Sequence, residues 1–502
     1  MSRFRKGDAV NHPAYGKGTV NGIRIDGYEV RVSFGAYSLW LPARELAPAE
    51  GGLRLVGAPI EEPLRSTERT SFDAIMRMLK GEPIPGTGTT GKTTIPVERP
   101  AGERARPRSG QSEPRFRPAQ AKRPVRDAAA IEAFRLGIVP IKHIAQWTVG
   151  REREVAQVRA FLQDHAEGAI LIEGAYGAGK SHLLQFLAID AEAMGFAVAT
   201  AGFDPSEATA AFPKKAYRRL VRNFVAHIDG QPLDFRGFLR EIAARPNWRD
   251  TLGDHWLLGR FLDRLARGKA DEDDWEAIEG QSRSDRGQPT LHDYSTCANL
   301  YVNLLTALSR GASEVLGMAG LAVLLDEAEV ARNVMYRYQA LRGVNFFRGL
   351  VLAANDEPAL VEEDLLREAT LVGATTRLVY SGHNPTRFTS GIPSQLKIAF
   401  ALTPGSLQEE FRKTRETIVQ VELDVLSVDQ LRTLYLRICD TFESVYGVRM
   451  APRDRDRVFR LLATADRISS TRGFIKAAIE ALDYVRFYPA GNVDDILLEG
   501  VG

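Results

Sequence analysis

Two stretches of this chain carry residue types whose spacing suits the handling of a polyphosphate. The first, Gly174-Ala-Tyr-Gly177-Ala-Gly179-Lys180-Ser181, fits the pattern G-x-x-x-x-G-K-[ST]. Glycines at that spacing let successive backbone N–H groups turn toward an anion, and a helix starting at the lysine adds its dipole. Lys180 then reaches the β- and γ-phosphates, and the Ser181 hydroxyl ligates Mg²⁺. The second stretch, Leu321-Ala-Val-Leu-Leu325-Asp326-Glu327, is an apolar run that ends in two carboxylates. Asp326 is placed to hold Mg²⁺, largely through water, and Glu327 to polarise an attacking water. Together they imply a nucleoside triphosphate site with ATP and Mg²⁺ as ligands. Gly174, Gly177, Gly179, Lys180, Ser181 and His182 bind the phosphates.

That chemistry needs a strand to deliver the loop and a helix to receive it. Ala169-Ile-Leu-Ile172 supplies a buried strand, and His182–Leu187, with Leu183, Leu184 and Leu187 on one face, supplies the helix start. A second copy of the pattern, Gly86-Thr-Gly-Thr-Thr-Gly91-Lys92-Thr93, has neither. Pro83 and Pro85 precede it and Pro96 follows it, so it is rejected. The stretch from Ser181 to Asp326 is long, which implies inserted helices around 205–300.

Composition fits this picture and excludes others. Of 502 residues, 44% are hydrophobic and 26% charged, ordinary for globular protein, and the formal charge of +2 gives no chain-wide pull toward nucleic acid. The two cysteines, Cys297 and Cys439, are far apart, and the eight histidines form no metal-binding spacing. Both cysteines are expected to be buried. No signal peptide or membrane-length apolar run is found, so the expectation is a cytoplasmic protein with no membrane contact.

The chain divides into five segments. Residues 1–50 read as a small all-β barrel: Val30, Val32 and Phe34 alternate with polar residues, Leu39-Trp40-Leu41 adds a strand, and turn signals fall at Lys6–Asp8, Tyr15–Gly18 and Ile25–Gly27. Residues 51–80 are a short extension with a helix at Ser71–Lys80. Residues 81–127, rich in Pro, Gly and Arg, read as a disordered linker whose basic stretch Arg104–Arg126 is able to touch DNA phosphates. Residues 128–410 alternate helices and strands, the pattern of a parallel α/β sheet, with one long helix over Ala328–Ala354. Residues 411–502 read as a helical lid, with helices at Leu426–Tyr446, Asp454–Ala465 and Arg472–Tyr484.

These motifs resemble the AAA+ superfamily, in its origin-recognition/Cdc6-like branch. In that light Gly150-Arg151-Glu152 is similar to the box that lies near the adenine. Thr403, after the strand Lys397–Leu402, stands where the family carries the sensor 1 residue, with Asn355 as a rival. Arg472, opening a lid helix, stands where sensor 2 reaches the γ-phosphate. The resemblance also implies a homo-oligomer with an arginine finger from a neighbour; Arg342, Arg348, Arg387 and Arg412 are the candidates. Ile131–Pro140, Gly150–Glu152, Tyr294–Thr296 and Gly320–Glu329 together resemble BrxD-like ATP-binding proteins of BREX phage-defence loci, a likeness over roughly 130–490. It implies bacterial anti-phage defence and a partner helicase or nuclease from the same locus. Phe4–Val20 is similar to the Tudor/SH3-like module at the end of UvrD/PcrA helicases and to CarD-type domains, which implies docking on a protein.

Three functions compete. The first is an ATP-hydrolysing switch acting on DNA or a partner helicase. The second is a non-hydrolysing scaffold that recruits a helicase or RNA polymerase through the barrel. The third, an autonomous helicase motor, lacks a second motor half in the sequence.

Overall fold

A computed structural model describes residues 8–12, 16–23, 29–34, 37–42 and 47–48, then 125–488 except 139, 141–143, 205–209, 282–296, 332–336, 383, 406, 408–416 and 465–469. The helix expected at Ser71–Lys80, the rejected Gly86–Thr93 copy, the linker with Arg104, the Tyr294–Thr296 motif and Arg412 lie outside the described residues. The chain forms two compact units, Met1–Arg108 and Ser109–Gly502.

In the first unit, β1 (Ala9–His12), β2 (Gly16–Ile23), β3 (Glu29–Phe34), β4 (Tyr37–Pro42) and β5 (Ala47–Pro48) form an antiparallel sheet in the order β4-β3-β2-β1-β5. Val10, Val20 and Val32 point to one buried side, as strand alternation requires. One expectation needs correction. Gly16, Lys17 and Gly18 are not a turn; they pair with His12, Asn11 and Val10, so glycine here serves the ladder. Among the described residues the edge strands β4 and β5 do not pair with each other, so a sheet is established and a closed barrel is not.

The second unit is built on a seven-stranded sheet. Its strands are β6 (Ala169–Gly174), β7 (Phe196–Gly202), β8 (Phe224–Ile228), β9 (Gln231–Leu233), β10 (Gly320–Asp326), β14 (Leu396–Leu402) and β15 (Val419–Leu423), ordered β15-β6-β14-β10-β7-β8-β9. A small separate sheet holds β11 (Leu365–Arg367), β12 (Leu371–Gly373) and β13 (Val379–Tyr380). The five strands from β15 to β7 are parallel, but β8 and β9 run antiparallel, so the sheet is mixed where the sequence predicts a parallel one. The β8–β9 pair is set locally: Asp229 and Gly230 take φ of 52° and 74°, the two left-handed residues that close a tight hairpin between them.

The sequence also misplaces two boundaries. β15 lies beyond residue 410, yet it pairs with β6 and belongs to the sheet. In place of one helix over 328–354, a 3₁₀ turn at Ala328–Ala331 precedes a helix at Arg337–Ala354. The inserted region does hold helices, at Pro213–Arg222, Phe235–Ala244, Trp248–Leu252, Leu258–Ala266 and Glu272–Ile278. Cys297 and Cys439 are both buried.

Three lid helices, Val428–Tyr446, Pro452–Thr464 and Thr471–Phe487, follow the sheet. The helix Val125–Leu136 joins them from far earlier in the chain. Its Ile131 and Phe134 share a core with Trp147, Leu431, Tyr435, Phe474 and Leu482. Phe134 meets Trp147 edge to face at 4.8 Å, a geometry worth about 0.5–1.5 kcal/mol beyond area burial. Arg135 fastens the same helix to the last one through Asp483, at 2.8 Å.

Candidate active site

The strand order decides which side chains meet. β14 separates β6, which feeds the phosphate loop, from β10, which ends in Asp326. Leu402 stands opposite Glu173, and Phe400 opposite Leu325. Thr403, one residue past β14, therefore arrives between the loop and the two carboxylates. Asn355, the rival position, sits at the other end of the strands, where it accepts from the Gly168 N–H at 2.9 Å and donates to Thr417 O at 2.7 Å.

The loop takes its shape from glycine. Gly177 and Gly179 have φ of 78° and 107°, backbone that L side chains rarely adopt. A Cβ at Gly177 would also lie 2.8 Å from that of Ser470, so the bare position admits the start of the last lid helix. The helix Lys180–Ala193 begins at the loop's end and buries Leu183, Leu184 and Leu187, each worth roughly 1.5–3 kcal/mol against exposure. Lys180 Nζ donates to Gly174 O at 2.8 Å, Ala175 O at 3.1 Å and Thr403 Oγ1 at 3.2 Å. Burial pulls the Lys180 pKa down, opposed by Glu329, Asp326 and Glu327, in that order.

Asp326 Oδ1 accepts from the Glu327 N–H at 2.9 Å. Glu327 has φ of 54°, a costly conformation for a non-glycine residue, and it is an exposed residue at the rim of the cavity. Burial of its carboxyl and the neighbouring Asp326, Glu329 and Asp204 raise its pKa, against a smaller pull from Arg472. That direction makes the carboxylate a stronger proton acceptor than an ordinary glutamate.

Glu329, which the sequence reading passed over, faces the same cavity. Its Oε2 is buried and has no hydrogen-bond partner among the described residues. The spacing Asp326-Glu327-Ala328-Glu329 held the signal, because the 3₁₀ turn at Ala328–Ala331 curls the chain just past the strand.

Lid and loop meet at Arg472. Its backbone N–H donates to Gly177 O at 3.3 Å, Nη1 donates to the Tyr176 hydroxyl at 2.9 Å, and the guanidinium lies 5.6 Å from the Tyr176 ring centre. Arg151 acts as a clamp. Buried, it donates to Ala178 O at 2.9 Å and Asp424 O at 2.5 Å, and pairs with Glu154 at 3.2 Å. Gly150 turns with φ of 63° and packs against Gln430, where a Cβ would come within 2.3 Å; it does not line the cavity. His182 Nε2 lies 2.8 Å from Thr148 Oγ1. Burial, helped by Arg151, pushes the His182 pKa down to about 4, so the ring is neutral at pH 7.

These groups enclose a cavity of about 190 Å³. One end is apolar, lined by Phe134, Trp147, Val149, Leu434 and Ile475, and offers a face for a ring system. The other end gathers Lys180, Ser181, Asp326, Glu327, Glu329, Thr403 and Arg472. Ser181 and Asp326 thus line the same cavity as the lysine, and their oxygens are of the type a hydrated divalent ion bound to polyphosphate takes as ligands. Among the described residues no cluster of His, Cys, Asp and Glu could hold a metal without such a ligand. Of the arginine-finger candidates, the three among the described residues do not line this cavity: Arg348 donates to Thr376 O at 2.9 Å, Arg387 to Glu363 O, and Arg342 stacks on Tyr338 at 4.8 Å.

Loop, carboxylate strand and polar strand end meet at one cavity on a mixed α/β sheet. Comparison with known families agrees in part: residues 123–232 match the family described as BREX system ATP-binding protein BrxC/D. The matched stretch includes Ile131–Pro140, Gly150–Glu152 and the phosphate loop, and ends before the Asp326 strand and the lid. No curated protein matches the chain. Among the described residues no helix is long and apolar enough to cross a membrane.

Proposed function

We propose that this protein binds ATP with Mg²⁺ and hydrolyses it, as an AAA+-type nucleotide switch in bacterial anti-phage defence. The observation that carries the reading is the convergence of Lys180, Thr403, Asp326 and Glu327 on one cavity, with Lys180 Nζ 3.2 Å from Thr403 Oγ1. The match of residues 123–232 to BREX ATP-binding proteins supports the same role. Ser181 and Asp326 would hold Mg²⁺, whose charge would offset that of the phosphates. Lys180 exchanges its carbonyl partners for β- and γ-phosphate oxygens. Glu327, its pKa raised, accepts the proton of the attacking water. Thr403 orients that water, and Arg472 reads the γ-phosphate from the lid, so that nucleotide state sets lid position. The working form is a homo-oligomer in the cytoplasm. Its partner is a helicase or nuclease from the same locus, met through the N-terminal Tudor-like sheet.

Glu327→Gln tests the reaction. Turnover falls by about 10²–10⁴ while ATP binding persists, because a general base is lost and no binding group is removed. No turnover in either protein would leave the non-hydrolysing adaptor as the reading, and equal turnover in both would remove Glu327 from the role of general base.

A further inference from the structure

Among the described residues five hydroxyl-bearing side chains line the cavity, and they differ in what they already hold. Thr148 Oγ1 donates to Ile144 O at 3.0 Å and lies against His182. The Tyr176 hydroxyl accepts from Arg472, and Thr403 Oγ1 accepts from Lys180. Ser181 follows that lysine at the phosphate end. Thr471 stands apart. It is 9% exposed and lines the cavity, and its Oγ1 is buried with no hydrogen-bond partner among the described residues.

A threonine at a helix start usually spends its hydroxyl on the backbone of the first turn. Here that place is taken. Ser470 precedes the helix Thr471–Phe487, and its Oγ accepts from the Gly473 N–H at 3.1 Å. A buried hydroxyl left unpaired destabilises the fold, and such a group calls for something that completes it.

Its place along the cavity says what that is. Arg472, next in the chain, belongs to the polar end, and its N–H reaches Gly177 O of the phosphate loop. Ile475, one turn on and about 6 Å further along the axis, belongs to the apolar end. Thr471 thus lies where the phosphate groups give way to the ring face, which in a nucleotide is the position of the sugar. We propose that the Thr471 hydroxyl bonds a hydroxyl of the ribose, so that the site selects ribonucleotides over deoxyribonucleotides. Both hydroxyls donate and accept, so the pair is satisfied whichever way the proton points. A deoxy sugar would leave the threonine unpaired again, which is how polar sites reject an analogue that lacks one group. The lid is held to the loop lightly here. The Arg472 N–H to Gly177 O distance is 3.3 Å, longer than the about 2.9–3.0 Å of a typical bond, so the helix start is able to shift and turn its hydroxyl to a sugar.

This inference rests on the nucleotide site proposed above and not on hydrolysis. Calorimetry on the full chain compares ADP, 2′-deoxy-ADP and 3′-deoxy-ADP, none of which carries a γ-phosphate, in wild type, Thr471→Val and Thr471→Ser. In wild type one of the two deoxy compounds should bind about three- to tenfold more weakly than ADP, the range of one neutral hydrogen bond. Thr471→Val keeps the shape and loses the hydroxyl. With it ADP should weaken by the same factor, and the difference between ADP and that deoxy compound should vanish. Thr471→Ser should keep the difference, and melting curves of the three proteins check that the helix start is intact. The proposal is overturned if wild type binds all three compounds alike, if the Val variant weakens all three equally, or if it still discriminates between them. It is overturned as well if the Val variant changes only the preference for ADP over GDP, which would move the hydroxyl to the base. Failure of wild type to bind ADP at all would remove the nucleotide site itself, whereas binding without sugar discrimination removes this inference alone.

Discussion

The cavity has two halves built on different principles. The sheet half, with Lys180, Thr403, Asp326 and Glu327, is fixed by strand register: the ladder that pairs Leu325 with Phe400 and Leu402 with Glu173 leaves these groups little freedom. The helical half, with Trp147, Thr148 and Arg472, is joined to the loop through a few side chains, chiefly Arg151, Arg472 and the Thr148–His182 pair. The first half is suited to chemistry, which needs fixed distances. The second is suited to sensing, because breaking few bonds lets it move. On this division, substitutions in the sheet half should act on binding and turnover. Those in the helical half should act on lid position, pH response and nucleotide discrimination.

The largest effect is expected at Lys180. Lys180→Ala removes the cation that faces three carboxylates and leaves Gly174 O and Ala175 O without its donation. Nucleotide affinity, read by calorimetry, should fall by a factor on the order of 100, matching the two or more charge-assisted hydrogen bonds to phosphate that go with it. The lid should melt as in wild type, because no lid residue bonds to that amine. A small affinity loss with a large drop in lid stability would reverse the assignment of the two halves.

How much could be read from sequence follows the same divide. Ala169–Ile172, Leu321–Leu325 and Lys397–Leu402 are apolar runs that form buried strands, and each leads toward the cavity, so the grouping of Lys180, Asp326, Glu327 and Thr403 around it was legible. The choice of Thr403 over Asn355 rested on a Pro-Gly strand end, and the structure puts Asn355 at the opposite end of the strands, beside Gly168. What local pattern does not carry is pairing across long separations. Nothing within Val419–Leu423 announces that it completes the sheet beside β6, and nothing in Val125–Leu136 announces a place among helices more than 300 residues later. Arg151 was read as a ligand contact from its resemblance to a box near the base; it lines the cavity, and its guanidinium also ties the loop to Asp424, just past β15, a bond no local pattern announces. The hairpin at Asp229-Gly230 was legible and was overlooked among helical signals.

A second prediction concerns the hinge between halves and has a defined sign. His182 is buried, and its folded pKa is depressed from 6.5 to about 4. A depressed value means that the unfolded chain binds the proton first as pH falls. Stability is therefore full above pH 6.5 and is lost progressively as pH drops toward 4, at about 1.4 kcal/mol per pH unit. His255, also depressed to about 4, adds a parallel loss. His182→Gln should remove one of the two contributions, halving the slope of urea-derived stability between pH 6 and 4.5. An unchanged slope would place His182 in solvent contact and detach Thr148 from the loop.

The smallest effect isolates the lid contact. Tyr176 is 70% exposed, yet its hydroxyl accepts from Arg472 at 2.9 Å. An exposed bond of this kind is worth little to stability, under about 1 kcal/mol. Its consequence lies in competition: while Arg472 rests on Tyr176, the same guanidinium is not free to meet a γ-phosphate. Tyr176→Phe keeps the ring under the cation and removes the acceptor alone. Melting should shift by no more than a degree or two, while ATP affinity rises by about two- to fivefold, in line with one modest hydrogen bond. ADP affinity should stay level, because ADP offers no γ-phosphate to the arginine. Equal gains for both nucleotides would mean that the tyrosine simply blocks entry to the loop. A loss for ATP alone would mean that it presents Arg472 to the γ-phosphate, which would make the contact part of the sensing state.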